Sequence, residues 1–155
     1  LSDACVDECI AALQELMAGG VVVIDDAFHI LGEYQHKTSA GAGKQAGDVF
    51  LKWLLRNCSS PAFCQQVTLH EHAENCFAEF PLPGLETQFD PSDRKFVAVA
   101  NAHPGKPVIL QAADSKWLNW FRQLQDAGIR VQFLCHDDLC RFYAKKFPGE
   151  KIPIF

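Results

Sequence analysis

The stretch VVVID, residues 21–25, decides the fold class that this sequence predicts. Its β-branched residues are apolar on both faces, whereas a strand with one face in water alternates apolar and polar residues. A strand that is buried on both faces is typical of a parallel sheet covered by helices. We therefore expect Asp25 and Asp26 to lie where this buried strand turns into the next helix.

Helical and extended patterns alternate on both sides of this strand. Apolar residues recur at helical spacing from Val6 to Met17, and Gly19 and Gly20 end that helix. Further helices are predicted at 28–34, 48–57, 91–102, 117–124 and 139–143, with strands at 65–71, 107–113 and 130–135 and an irregular connection at 74–88. This order predicts one α/β domain over residues 1–155, a three-layer α/β/α fold with a central parallel sheet of about four or five strands.

Length and charge restrict the classes of function. The 155 residues are enough to bury a core, and 48% of them are hydrophobic, which is ordinary for a globular protein. The formal net charge of -5 provides no overall basic field. Binding to a nucleic acid would therefore need local basic residues or bridging cations.

The number and spacing of the cysteines indicate a reducing compartment. The chain has seven of them, an odd number, and none stands in a CxxC pair. No signal peptide and no apolar run of membrane-spanning length is found in the sequence. We expect a cytoplasmic protein with free, mostly buried thiols and without a membrane partner.

Acidic residues follow the predicted strands repeatedly. Asp25 and Asp26 close the first strand, Asp114 closes the strand at 107–113, and two aspartates follow the last strand. The carboxyl ends of parallel strands meet at one edge of a sheet, so these acids are expected to converge. Any one of them is also a good helix N-cap, which contributes about 1 kcal/mol.

The stretch FDPSDRKFVAVA, residues 89–100, allows both interpretations of its acids, as helix caps and as members of a converging group. Asp90 suits the N-cap of the helix at 91–102, and Pro91 suits its first position. Asp93 falls in the first turn, where a capping arrangement can use it. Because Asp90 already supplies a cap, the carboxylate of Asp93 is available for another role.

A set of converging carboxylates has a specific chemistry. Three or four of them repel one another unless cations neutralise them. Sites made of oxygen ligands select Mg²⁺ or Mn²⁺. Such ions lower the pKa of a bound water and clamp a phosphodiester for in-line attack. The acids, if they converge, therefore predict metal-dependent hydrolysis of phosphodiester bonds.

Three short motifs resemble the PIN-domain nuclease family, whose compact fold uses four acidic positions. DRKFVAVA, residues 93–100, is similar to the third acidic motif, and AADSKW, residues 112–117, to the fourth. ILGEY, residues 30–34, resembles the second motif. The resemblance implies that Glu33, Asp93 and Asp114 are catalytic residues and metal ligands.

The first acid of the family follows the first strand. SDAC, residues 2–5, fits that motif and makes Asp3 the candidate, with Asp25 or Asp26 as the alternative. Asp3 is preferred because Asp25 is too close to Glu33 for the intervening helix and strand. The family's first strand should precede Asp3, where only two residues stand, so we expect it to be truncated upstream of residue 1.

The resemblance implies a ribonuclease that uses Mg²⁺ or Mn²⁺. RNA, single-stranded or structured, is then the substrate. Many relatives are toxins of toxin–antitoxin pairs and many form homodimers, so an antitoxin protein and a second copy are the expected partners. Five basic residues are expected at the rim of the site, where they would contact phosphates: Lys37, Lys44, Arg94, Lys95 and Lys116.

Other interpretations compete with a nuclease. The first is a PIN-like fold that binds RNA or protein without cleavage, and a response-regulator-like receiver is the second. HEH, residues 70–72, together with the cysteines suggests a zinc site, although its spacing is not typical of one. GAGKQ, residues 41–45, lacks the other residues of a phosphate-binding loop and is rejected.

Overall fold

The computed structural model describes residues 1–38 and 45–155. Lys44 and most of the GAGKQ stretch lie outside the described residues. The helices are α1 Asp3–Gly19, α2 His29–Lys37, α3 Ala46–Asn57, α4 Pro83–Glu86, α5 Arg94–Ala102, α6 Phe121–Asp126 and α7 His136–Lys146. The strands are β1 Val22–Asp25, β2 Cys64–Val67, β3 Glu71–Ala73, β4 Cys76–Phe77, β5 Ile109–Gln111 and β6 Val131–Phe133. Short 3-10 helices cover Pro91–Asp93 and Ser115–Asn119.

Helix α1 begins and ends as its sequence predicts. The side chain of Ser2 accepts a hydrogen bond from the backbone N–H of Cys5 and caps the first turn. At the other end the N–H of Gly20 donates to the carbonyl of Leu16. A Cβ atom at residue 20 would lie 2.9 Å from the Cα of Leu16, so glycine is the residue that fits this close approach.

The strands form three separate pairs. Strands β1 and β2 are parallel, with Val22 opposite Cys64, and β5 and β6 are parallel, with Ile109 opposite Val131. Strands β3 and β4 form a short antiparallel pair. The α/β composition agrees with the prediction, but the central parallel sheet of four or five strands was wrong, because each sheet among the described residues has two strands.

The failure of the sheet prediction has a physical cause. Sequence patterns located the parallel strands, but a sheet of four or five strands forms only when each inner strand has a hydrogen-bonding neighbour on both edges. Within the described part of the chain, β1 pairs with β2 alone and β5 with β6 alone. No strand among these residues joins the free edge of β1 to that of β5.

Helix α5 lies against both parallel pairs. Its Val99 belongs to a cluster of buried residues with Ile24 of β1. Its Val97 and Ala100 belong to a second cluster, which contains Trp117 and contacts Ile109 of β5. One helix therefore connects the two halves of the molecule, and the acids at its start lie between them.

The connection at 74–88 is more ordered than predicted. It contains β4 and α4, and the side chain of Glu86 is buried at 5% exposure. This carboxylate accepts a hydrogen bond of 2.9 Å from the backbone N–H of Phe77. A buried acid that binds a backbone N–H fixes the segment, and no local pattern indicates this long-range contact.

The cysteine prediction also needs correction. Cys5 and Cys135 form a disulfide across a sequence separation of 130 residues, so they are not free thiols. Of the five free cysteines, Cys64 is buried and the other four are partly exposed. Among the described residues, no helix is both long enough and apolar enough to cross a membrane.

Candidate functional site

Asp25 holds the start of helix α2. Its carboxylate is fully buried and accepts hydrogen bonds from the backbone N–H groups of His29 at 2.8 Å and Ile30 at 3.0 Å. It also contacts His29 Nδ1 at 2.7 Å. The neighbouring Asp26 is exposed and accepts a hydrogen bond of 2.6 Å from Thr68. Asp25 is thus occupied in fixing α2.

Glu33 projects from α2 between two lysines. Its Oε2 accepts a hydrogen bond of 3.0 Å from Lys95, and its Oε1 lies 3.1 Å from Nζ of Lys37. Lys95 is nearly buried, with 10% of its side chain exposed. Partial burial by itself raises the pKa of Glu33, but the hydrogen bonds and charges of the two lysines outweigh it and hold the pKa below its usual value.

Asp93 stands at the junction between the 3-10 helix Pro91–Asp93 and α5. Its Oδ2 accepts a hydrogen bond of 3.2 Å from the indole Nε1 of Trp117. Burial raises the pKa of Asp93, and the nearby negative charges of Asp90 and Asp114 raise it further, although the indole hydrogen bond opposes them. No ammonium group among the described residues forms a hydrogen bond with this carboxylate.

Lys116 bridges two further acids. It donates a hydrogen bond to Asp90 and lies 3.9 Å from the nearer carboxylate oxygen of Asp114. The bond from Lys116 is the main cause of the lowered pKa of Asp90. Asp114 also accepts a 3.1 Å hydrogen bond from the backbone N–H of Lys116 and so caps the 3-10 helix Ser115–Asn119.

The capping prediction for residues 89–100 is confirmed for position alone, because Asp90 is the N-cap residue of the 3-10 helix Pro91–Asp93 and Pro91 is its first residue. The side chain of Asp90 makes no capping hydrogen bond to the helix that follows, and neither does that of Asp93. Asp90 instead faces Lys116, and Asp93 faces Trp117. Both acids are directed toward a common polar region.

These groups form one region, the acid–lysine cluster. Lys37 is bound to Glu33, which is the main cause of its raised pKa, and it lies near enough to Asp93 and Asp90 for their negative charges to raise that pKa slightly further. Asp93 is linked to Asp114 by their mutual repulsion. The cluster consists of Glu33, Asp90, Asp93, Asp114, Lys37, Lys95 and Lys116.

Asp3 stands apart from this cluster. It lies in the first turn of α1 and is exposed. Within residues 1–38 and 45–155 its carboxylate makes no hydrogen bond or ion pair, while the neighbouring Ser2 donates its backbone N–H to Asp138 at 2.7 Å. Three of the four predicted acids therefore lie within reach of one another's charge or of a shared lysine, and Asp3 makes no contact with them in the described part of the chain.

The acid–lysine cluster has the ligand type of a magnesium or manganese site, because its donors are carboxylate oxygens. Its spacing is wider than a closed site needs. In the described part of the chain, no three acidic groups place their oxygens within 4.8 Å of one another. Ammonium groups stand between the acids instead, so a divalent cation would have to displace Lys116 or Lys95.

Three of the five predicted rim residues lie beside the acids, and their contact with phosphates stays a prediction. Lys37, Lys95 and Lys116 all contact the acids. Arg94 is buried and donates to the backbone carbonyls of Phe89 at 3.2 Å and Asn75 at 3.3 Å. Its role is to fasten the start of α5 to the preceding segment.

A second group of chemical interest is the sulfur cluster, made of Cys5, Cys9 and Cys135. Cys9 lies one turn after Cys5 on α1, and its Sγ is 3.9 Å from that of Cys135. Burial raises the pKa of the Cys9 thiol, and the charge of Glu8 adds to this effect. The cluster packs against Ala113, the residue that precedes Asp114.

No family model, curated protein or solved structure matches this chain. The similarity to PIN domains in the three short motifs therefore stays a prediction. The structure offers no support for a zinc site at residues 70–72. His70 contacts Glu79 at 2.6 Å, and among the described residues no histidine lies in a group of three or more possible ligands close enough to bind one ion.

Sequence reasoning missed two parts of these sites. Asp90 was interpreted as a cap, and its distance of three residues from Asp93 was the available signal that both face one region. Cys5 and Cys9 are four apart in a predicted helix, which places them on one face. The third sulfur, Cys135, is 126 residues beyond Cys9, and no local pattern connects it to them.

Proposed function

We propose that the acid–lysine cluster is a site for hydrolysis of phosphodiester bonds in RNA, with Mg²⁺ or Mn²⁺ as the cofactor. The observation that supports this proposal is the convergence of Glu33, Asp93 and Asp114, which come from three distant parts of the sequence. Each is joined to another through a lysine or through direct repulsion.

Asp93 is the acid best suited to hold a cation. It is partly buried, and burial, followed by the charges of two neighbouring carboxylates, raises its pKa. Among the described residues it forms no hydrogen bond with an ammonium group. A cation placed beside Asp93 and Asp114 would remove their repulsion. When bound, the divalent ion supplies an activated water and neutralises charge on the phosphate.

The remaining residues have distinct roles. The capping contact of Asp114 fixes its position at the end of β5. Glu33 is held by Lys95, which is anchored in α5. Lys37 and Lys116 are more exposed, with 70% and 30% of their side chains accessible, and are placed to contact phosphate oxygens of an RNA backbone.

The second candidate is a module that binds RNA or protein without cleavage. The lysine contacts favour it, because Glu33 and Asp90 are already neutralised by Lys95, Lys37 and Lys116. The two candidates differ in what happens at Asp93. Hydrolysis requires its carboxylate as a metal ligand, whereas a binding module works equally well with an amide there.

The test is cleavage of a labelled single-stranded RNA and a hairpin RNA in Mn²⁺, with and without a chelator. The native chain is compared with Asp93→Asn, whose amide oxygen still accepts the Trp117 hydrogen bond. Asp126→Asn is the control, since Asp126 is an exposed acid on α6. We expect Asp93→Asn to lower the cleavage rate at least about 100-fold, as loss of a transition-state electrostatic contact does.

RNA binding is measured in parallel by fluorescence anisotropy. Retained binding with lost cleavage in Asp93→Asn supports hydrolysis. Binding without cleavage by the native chain supports the second candidate, and cleavage that survives in Asp93→Asn excludes the site. An antitoxin protein, a homodimer and a cytoplasmic location stay predictions.

A further inference from the structure

We propose that the sulfur cluster is a redox-gated site for a zinc ion, with Cys5, Cys9 and Cys135 as the three protein ligands. In the form described here, Cys5 and Cys135 are joined as a disulfide and Cys9 is a free thiol. Reduction of that bond would present three thiol groups to one point. The inference does not rest on the proposed nuclease function.

The positions of the sulfurs fit a single ion. The ligand atoms of the three cysteines all lie within 4.8 Å of one another, and they are the one such group of His, Cys, Asp or Glu among the described residues. Zn–S bonds of about 2.3 Å in a tetrahedral site place two sulfurs about 3.8 Å apart. The distance of 3.9 Å between Cys9 and Cys135 already matches this value.

The backbone that carries the sulfurs is well ordered by its neighbours. Cys5 and Cys9 lie one turn apart on the 17-residue helix α1, which Ser2 caps. Cys135 follows β6 and precedes α7, and its backbone N–H donates to the carbonyl of Ala112 at 3.2 Å. The ligands therefore come from two fixed elements, and reduction needs to move only the Cys5 and Cys135 side chains apart.

The environment suits a three-sulfur site with one open position. Cys5 and Cys135 are buried, at 3% and 5% exposure, whereas Cys9 is partly exposed and leaves a path for an ion to enter. Soft thiolate ligands select zinc over the hard cations expected at the acid–lysine cluster. With three protein ligands, water is left as the fourth ligand of a tetrahedral ion.

The chemistry balances in two steps. A dithiol reductant transfers two electrons and two protons to the Cys5–Cys135 bond and becomes a disulfide itself. Zinc then binds the three sulfurs as thiolates and releases their protons to solvent. A small-molecule disulfide as oxidant accepts the two electrons, together with two protons from solvent, and leaves as two thiols while the Cys5–Cys135 bond reforms. One free sulfur then remains, and one thiolate is too few to retain the ion.

The site would connect three parts of the fold. The sulfur cluster packs against Ala112 and Ala113, directly before Asp114. A zinc ion there would fasten α1 directly to the end of β6 in the reduced protein, and to β5 through the pairing of β5 with β6. The disulfide provides the same connection in the oxidised protein, so the fold is held in either state.

Cobalt(II) is the spectroscopic probe for the test, because thiolate ligands give it a near-ultraviolet charge-transfer absorption. We expect the reduced full chain, freed of reductant under anaerobic conditions, to bind one cobalt ion with this absorption and to release it to zinc. The oxidised chain should show none. X-ray absorption of the zinc-loaded protein should find three sulfur neighbours at about 2.3 Å.

Two single variants make the assignment specific. Loss of an outer-shell partner already costs about 10–100-fold in metal affinity, so Cys9→Ser, which loses a ligand, should bind cobalt at least that much more weakly. This variant keeps the Cys5–Cys135 disulfide. Cys140→Ser is the matched control, because Cys140 is a partly exposed cysteine on α7 outside the cluster.

Four results would overturn the proposal. They are an absence of thiolate–cobalt absorption in the reduced native chain, equal absorption in the oxidised chain, native affinity in Cys9→Ser, and an equal loss in Cys140→Ser. Circular dichroism of each variant confirms that it is folded. Because no RNA is involved, failure here is distinguishable from failure of the nuclease proposal.

Discussion

At the scale of single residues, Asp90 and Asp93 lie three positions apart, and their pKa values are shifted in opposite directions. Lys116 hydrogen-bonds to Asp90 and lowers its pKa, while burial and two neighbouring acids raise the pKa of Asp93. Lys116, which lowers the pKa of Asp90, and Asp114, which helps to raise that of Asp93, are both more than 20 positions along the chain from these aspartates. Residue type and spacing therefore identify the candidate acids, but their charge state depends on tertiary neighbours.

The raised pKa of Asp93 predicts a stabilising substitution. An acid whose folded pKa exceeds its unfolded value destabilises the fold at a pH above the folded pKa, and the penalty fades as the pH falls toward the unfolded value. In metal-free buffer, Asp93→Asn should raise the melting temperature by a few degrees at pH 7. The gain should shrink toward pH 4.

The measurement is thermal unfolding by circular dichroism at several pH values in the presence of a chelator. Asp126→Asn serves as the control, because this exposed acid should change the melting temperature little at any pH. A lower melting temperature for Asp93→Asn at pH 7 would show that the carboxylate is stabilising. The assigned repulsion from Asp90 and Asp114 would then be wrong.

At the scale of elements, helix α2 depends on a residue that lies outside it. Phe28, which precedes α2, has a positive φ of 61° and makes no side-chain cap. Asp25, at the end of β1, accepts the N–H groups of His29 and Ile30 in its place. The strand end thus positions the helix that carries Glu33.

Removal of this buried carboxylate should be costly. Asp25→Ala leaves two backbone N–H groups without acceptors, so we expect a loss of about 2–4 kcal/mol in the free energy of unfolding. Asp26→Ala, at the exposed adjacent position, should cost under about 0.5 kcal/mol. Urea denaturation of both variants measures the difference, and equal costs would contradict the capping role.

At the scale of the whole molecule, α5 packs against two parallel strand pairs, β1–β2 and β5–β6, which form no common sheet among the described residues. Val99 packs with Ile24 on the side of β1, and Val97 packs with Trp117 on the side of β5. The acid–lysine cluster lies where these halves meet, because Glu33 follows β1 and Asp114 follows β5. Movement of one half relative to the other would change the spacing of the acids.

The shared helix predicts that both halves unfold together. Val97→Ala and Val99→Ala each remove two methyl groups from a buried position, so each should cost about 1.5–3 kcal/mol. Each variant should show one urea transition, shifted to lower denaturant for tryptophan fluorescence and circular dichroism alike. Two separated transitions would show that α5 does not couple the halves.

Much of the local structure was predictable from the sequence. The apolar spacing from Val6 to Met17 predicted α1, and VVVID predicted β1, because both patterns record which faces of one segment are buried. Glu33, Asp93 and Asp114 were selected by the resemblance of three short motifs to a nuclease family, and their role stays a prediction. The predicted sheet was wrong because pairing depends on a second segment for every strand edge.

The sequence by itself determined most of the helices and the parallel strands, though not β4 and α4, and it selected the candidate acids, since these features depend on stretches of a few residues. Tertiary structure alone decided that the strand pairs β1–β2 and β5–β6 both pack against α5, that lysines stand between the acids, and that Cys5 is bonded to Cys135. Each of these outcomes is a contact between distant segments. Its free energy depends on how both segments pack, and neither segment contains that information alone.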